Sequence, residues 1–338
     1  MRLFRLHDSV SFSFGSALLF WIVTACAAPQ LAEPISPIVA QPVASADIPI
    51  VDLGEKLFHS RLLSGDMDRS CASCHDLKHL GGSDGRPKSI GTPGHPGKRR
   101  TPSIFNVSNN FVQLWDGRAA TLEDQIQLVI HDKSVMNSDW KTVLARLNTD
   151  PTLRPLFESA YGTEANAENV KDSIAAYERT LTTPGSRFDR YLEGDDTAIT
   201  LDELRGYTLF KQYGCASCHQ GMNVGGNMFQ PLGVIGEPGA YFRETVGTSA
   251  LDQGRFAITG DAADKFVFRV PSLRNVALRP PYFNDGSVPT LDLAVQLMGR
   301  YQLGRSLDDN DVKLIVKFLG TLTGSYRGEP LDGSGRQP

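Results

Sequence analysis

Two copies of the string CASCH, at Cys71–His75 and Cys215–His219, constrain this chain more than any other feature. Each is a Cys-x-x-Cys-His motif. Cysteines about one helical turn apart can both form thioethers with the vinyl groups of one haem. The histidine that follows then meets the iron from the proximal side. The spacing therefore predicts two covalent c-type haems, one held by Cys71, Cys74 and His75, the other by Cys215, Cys218 and His219. A redox Cys-x-x-Cys does not need the histidine, and a zinc site asks for a second cysteine pair nearby. At 338 residues the chain has room for roughly two domains of ordinary size, one motif in each.

The remaining cysteine use agrees with this division. Four of the five cysteines lie in the motifs, so no disulfide framework is available. The fifth, Cys26, follows a stretch that reads as a signal peptide over residues 1–25. Arg2 and Arg5 come first, then an apolar run from Ser16 to Val23 that is short for a membrane span. Val23-Thr24-Ala25-Cys26 resembles a bacterial lipobox, which predicts a lipid anchor on Cys26. The alternative is an ordinary signal-peptidase cut near Ala27. Either places haem attachment outside the cytoplasm, in the periplasm of a Gram-negative bacterium. Residues 26–49 are rich in Pro and Ala and read as a tether, and residues 327–338 read as a flexible tail. A net charge of −4 argues against nucleic acid as a partner, since phosphate binding wants a basic surface.

The chain repeats itself. Thr101–Leu128 aligns without a gap on Val270–Leu297 at a constant offset of 169, while the haem motifs are offset by only 144. Identical pairs include Asn106/Asn275, Asp116/Asp285, Gly117/Gly286 and Thr121/Thr290. The fold expected is mainly α: two cytochrome c-like haem domains related by internal duplication, over residues 50–182 and 183–326. Helices are predicted over Val51–Leu62, Thr121–Ile130, Asp139–Leu147, Val170–Leu181, Thr290–Tyr301 and Asp308–Leu322 from apolar spacing and N-capping threonines. Long Gly/Pro-rich loops are expected at Gly81–Gly97 and Gly221–Gly239, the second with Phe256–Val270 forming a small ribbon.

The sixth iron ligands decide the chemistry. Two strong protein ligands favour electron transfer, and an open or displaceable position permits reaction. For the second haem Met298 is the best candidate, on the helix after the repeated segment. Met222 and Met228 compete, and a core role for Met298 is the plain alternative. Its counterpart in the first half is Val129, which cannot bind iron. The first haem must look elsewhere: to His95 or His79 in the loop after the motif, to His131, or to water or nothing. His59 reads as structural or exposed.

In combination CASCH, GGSDGRPKSIG, TPSIFNV, LWDGRAATLEDQ, the second CASCH, NVGG, DQGRFAITG, FVFRVPSLRNVALRPPYFNDGSV and LMGRYQLG resemble the bacterial di-haem cytochrome c peroxidases and their MauG-type relatives. The resemblance covers residues 50–325. It implies that His75 is proximal ligand of a peroxidatic haem and that His219 and Met298 bind an electron-relay haem. It implies a tryptophan between the haems at Trp115 and an active-site glutamine at Gln125. Without the resemblance, Trp115 is a buried aromatic and Gln125 a polar residue on an exposed helix face. The implied activity is reduction of hydrogen peroxide to water, with electrons from a small cytochrome c or cupredoxin. Members of the family often form homodimers.

Three departures matter. The family's pocket glutamate is Val135 here, and valine cannot shuttle a proton. Glu123, Asp124, His131 or Asp132 would have to compensate. The displaceable histidine of the family falls in the loop that holds His95. The asparagine used for calcium between the domains is replaced by Arg100, and its positive charge works against calcium. Two other functions are therefore weighed beside the peroxidase. One is a MauG-like oxidant of a protein substrate, which Met298 argues against because MauG uses tyrosine there. The other is a non-catalytic electron-transfer or sensor cytochrome with His95 permanently bound.

Overall fold

Helix α1 (Ile48–His59) opens with Pro49, a residue whose fixed φ suits the first turn of a helix. Its buried face is Leu53, Leu57 and Phe58, and it ends where Ser60 turns extended and starts a short 3-10 turn at Arg61–Leu63. The helix predicted to reach Leu62 thus stops at His59. The computed structural model describes residues 33–40, 42–235 and 252–333. The signal peptide and Cys26 lie outside the described residues. Among the described residues no helix is long and apolar enough to cross a membrane.

After the first motif, itself a 3-10 turn at Cys71–Ser73, come α2 (Leu122–His131), α3 (Trp140–Thr149), α4 (Arg154–Tyr161) and α5 (Ala167–Thr180). Thr121 caps α2 in a reciprocal box with Asp124, and Asp139 caps α3. The second half has α6 (Arg187–Leu192), α7 (Leu201–Gln212), the motif turn Cys215–Ser217, α8 (Leu291–Leu297) and α9 (Asp309–Gly320). The predicted ribbon is present: β1 (Phe229–Pro231) pairs antiparallel with β2 (Val267–Arg269), Gln230 opposite Phe268. Helices α4, α6 and α7 were not among the sequence expectations.

Two hydrophobic cores result. The first gathers α1, α2 and α5 around Phe58, Ile126, Phe157 and Tyr177. The second gathers α7 and α9 around Phe188, Tyr207, Phe210 and Phe318. Each core is built on one helix pair packed unusually close. A Cβ on Gly54 of α1 would run into the carbonyl oxygen of Ser173 on α5, and a Cβ on Gly206 of α7 into that of Leu314 on α9.

The repeat is visible in the backbone. Asn106 and Asn275 both adopt left-handed conformations, at φ 60° and 57°, as do Leu114 and Phe283 at 67° and 68°. Both asparagines donate their amides to the same buried hydroxyl, Thr183 Oγ1, at 2.8 and 3.0 Å. The repeated segments thus meet at the chain crossover between them.

Two terminal segments differ from expectation. Residues 26–49 read as a tether, yet Ile35 is 2% exposed within the second core, and Gly221 N–H donates to Pro34 O at 2.7 Å. Apolar isoleucines within the Pro/Ala-rich stretch make this burial favourable. Residues 327–338 read as a flexible tail, yet β3 (Ser325–Tyr326) and β4 (Glu329–Pro330) pair as a hairpin. Tyr326 and Leu331 pack on the first core. Each end of the described chain therefore lies on the half more distant from it in sequence.

Candidate functional site

His75 and His219 are both half-buried, and desolvation pushes both imidazoles toward the neutral form, His219 down to about 4. A neutral imidazole is what a metal needs. In each ring Nδ1 faces a carbonyl oxygen, Gly82 O at 3.0 Å and Val224 O at 3.3 Å. A carbonyl only accepts, so Nδ1 carries the proton and Nε2 keeps its lone pair for iron.

The second motif opens into a cleft of about 1380 Å³, its mouth included. Cys215, Cys218 and His219 line one part and Met298 another. Met222 and Met228 are not among the lining residues. Met298 begins a π-helical turn, Met298–Gln302, that interrupts the helix predicted over Thr290–Tyr301. At Gly299 a Cβ would meet the Leu307 side chain, so the chain turns closely there. Such π-turns often mark functional positions in helices.

Trp115 belongs to the first half but lines this second cleft. It is 9% exposed, its indole N–H donates to Arg100 O at 2.8 Å, and its carbonyl accepts from Arg269 N of β2. It therefore sits where the two halves share a wall.

The cleft wall also holds Arg100, Arg269 and Arg279, all buried. Among the described residues none of the three is ion-paired, and Nε of Arg100 has no partner. Burial lowers their pKa values to about 10, 10 and 9, with mutual repulsion adding to the effect at Arg279. Uncompensated buried charge is costly. A group bringing carboxylates into the cleft, as a haem brings its two propionates, fits this wall.

The first motif is set differently. Val129, the counterpart of Met298, packs against the first core, as does Val135. His95 is exposed at a tight turn where its backbone pairs with Thr92. That turn is pinned by Arg69, which donates to Gly91 O at 2.5 Å, and by the Thr92 hydroxyl on Lys133 O. His59 and His131 are exposed, and His79 is half-buried close to the motif. Gln125 is half-buried on α2, beside the core residue Ile126.

The acids named as substitutes for the missing glutamate already have structural work. Glu123 pairs with Arg179, Asp124 caps α2, and Asp132 accepts from the Ser134 amide and hydroxyl. Sequence reading missed Glu178. It is 3% exposed on α5, Oε2 has no partner, and burial pushes its pKa up to about 8. It lies close enough to Cys71 to influence that thiol electrostatically. Only its place on the inner face of Val170–Leu181 could have signalled it.

Comparison with known proteins places this arrangement. The model of the family described as di-haem cytochrome c peroxidase matches residues 49–197. The chain is 44% identical to cytochrome c peroxidase Ccp of Escherichia coli, over 87% of this chain and 62% of that protein, so it spans under two thirds of that relative. It is 42% identical to the cytochrome c551 peroxidase of Nitrosomonas europaea, over 86% of this chain and 84% of that one. It is 35% identical to the MauG protein of Methylorubrum extorquens, over 72% and 66%. A solved MauG-like protein associated with microbial copper homeostasis superposes with a TM-score of 0.72 at 27% identity, over 88% of this chain and 95% of that one. The chain belongs to the di-haem cytochrome c peroxidase family, and its cofactors are two covalently bound haem c groups.

Proposed function

We propose that this protein reduces hydrogen peroxide to water with electrons taken singly from a small cytochrome c or cupredoxin, outside the cytoplasm. When bound, the haems supply one-electron storage at one site and peroxide reduction at the other. The observation that carries the reading is the inequality of the two halves. Met298 shares a cleft with His219, whereas its counterpart Val129 is taken up by the first core. One site has a ready thioether for a closed, high-potential iron. The other has none at the equivalent position.

In this reading Cys71 and Cys74 anchor one haem, with His75 as its proximal ligand. Cys215 and Cys218 anchor the other, with His219 and Met298 as its axial ligands. Trp115 lines the wall between the halves and provides the coupling across it. Gln125 orients bound peroxide. Glu178, held protonated by burial, is the proton store that compensates for Val135. His95 serves as a displaceable group, because its exposed turn can move without disturbing either core. The names of the relatives support the peroxidase activity. The leader-like residues 1–25 and the lipobox at Cys26 support export and a lipid anchor. Pairing of two chains is carried over from the family resemblance.

The test is stopped-flow mixing of the half-reduced holoprotein with peroxide and a reduced small cytochrome c. Rapid donor oxidation is expected. Haem bands that stay unchanged, with no donor oxidised, would overturn the reading in favour of electron transfer or sensing. A long-lived oxidised species that ignores the donor would overturn it in favour of a protein substrate.

A further inference from the structure

A file of aromatic rings connects the proximal side of the first motif to the protein surface, and the reaction proposed above does not use it. The His75 ring lies 6.4 Å from Phe58 between centroids, and Phe58 stands edge-on to Tyr177 at 5.3 Å. The Tyr177 hydroxyl is 3.3 Å from the Tyr326 hydroxyl. Tyr177 is fully buried on α5, whereas Tyr326 is half-buried on β3. Arg327 covers the Tyr326 ring at 5.4 Å and pairs with Glu55 at 2.7 Å. The two phenols stand 149 residues apart and meet only because the terminal hairpin folds back onto the first core.

Electron transfer through protein falls steeply with distance, so contiguous rings matter. Tyrosine is among the more readily oxidised side chains, provided its proton leaves with the electron. The geometry meets that condition. The Tyr326 phenol oxygen stands ready to take the Tyr177 proton, and its ring reaches the surface under Arg327. Phenylalanine is not itself oxidised, and Phe58 supplies only coupling between His75 and Tyr177.

We propose that Tyr177 and Tyr326 form a one-electron relay that carries oxidising equivalents from the first haem site to the surface when no donor arrives. This rests on the peroxide-reducing reading. Peroxide takes two electrons and two protons to become two waters. In the half-reduced protein one electron is already stored, and the second comes from Tyr177. The Tyr177 proton moves onto the Tyr326 oxygen as Tyr326 releases its own proton. Tyr326 then returns a hydrogen atom to Tyr177, leaving a neutral radical on Tyr326. Overall one electron and one proton leave the Tyr326 O–H, the proton to surface water, and the two protons that peroxide takes up come from solvent.

The experiment mixes half-reduced holoprotein with peroxide and no donor. Freeze-quenched samples are read by electron paramagnetic resonance while haem absorbance is followed in parallel. Wild type is expected to give a tyrosyl signal, and peptide mass spectrometry a peroxide-dependent oxidation at Tyr326. Tyr177→Phe is expected to lose both. Tyr326→Phe is expected to lose the oxidised peptide and most of the signal, because Tyr177 has lost its proton acceptor. Each variant keeps its ring, and an unchanged haem spectrum shows that it is folded. Turnover with donor present should match wild type in both. Haem bands that respond to peroxide with no tyrosyl signal, or a signal that survives in Tyr177→Phe, would overturn the relay alone. Haem bands that do not respond would overturn the peroxide reading, and the relay with it.

Discussion

At the scale of single residues, two side chains give the sharpest tests. Met298 lines the cleft with His219, whereas Met222 and Met228 do not. A thioether ligand raises the potential of a haem relative to a second imidazole. Met298→His is therefore expected to lower the second haem's reduction potential by on the order of 100 mV, within the ~0.8 V that axial ligation spans. Met222→Leu and Met228→Leu should leave it unchanged in the same spectroelectrochemical titration. Glu178 is a test of burial. Its carboxyl is raised from 4.5 to about 8. Between those values the folded protein holds a proton that the unfolded chain has lost. Stability therefore falls as pH rises through that window. Glu178→Gln should remove this slope and raise stability at pH 8 by on the order of 1–3 kcal/mol, read from denaturant curves at pH 5 and pH 8.

At the scale of elements, the two close helix pairs matter most. Alanine is the better helix former by about 1 kcal/mol, so Gly54→Ala would stabilise an isolated α1. In the protein its Cβ meets a backbone carbonyl that cannot rotate away. Overpacking of this kind costs about 1–3 kcal/mol or more, so the clash should win. Gly54→Ala and Gly206→Ala are both expected to lower the melting temperature, and each should perturb the haem spectrum of its own half first. The repeat fixed by Asn106 and Asn275 was legible as identity at constant spacing. Their shared partner Thr183 was not, because it lies outside the repeated segment.

At the scale of the whole molecule, the terminal segments tie the halves together. Arg274 is 1% exposed and pairs with the equally buried Asp189 at 2.7 Å, and it also donates to Ser36 O of the leading segment. Asp189→Ala leaves this guanidinium buried without a counter-charge, which costs about 3–5 kcal/mol. The expected result is a large loss of stability in denaturant titration, with Asp189→Ala/Arg274→Met recovering part of it. Arg99 of the first half reaches Asp252 of the second at 2.7 Å and also pairs with Asp116. Burial alone would raise the Asp252 carboxyl, but Arg99 outweighs it and holds it below its ordinary value. That contribution is present above the ordinary carboxylate range and is lost as pH falls through the lowered pKa.

The residues of the sequence determined the covalent chemistry, because Cys-x-x-Cys-His needs only local backbone to bring two thiols and an imidazole to one macrocycle. They also determined the helices with capping threonines and aspartates, since caps act within one turn. The inequality of Met298 and Val129 was likewise legible from the offset. Only the tertiary structure decided that Trp115 faces the other half's cleft, that Arg100, Arg269 and Arg279 share one wall, and that Glu178 stands buried. It alone decided that Ile35 and Leu331 pack where composition suggested free chain. Burial and pairing depend on which distant segments meet, and composition averages over the few apolar side chains that make such a meeting favourable.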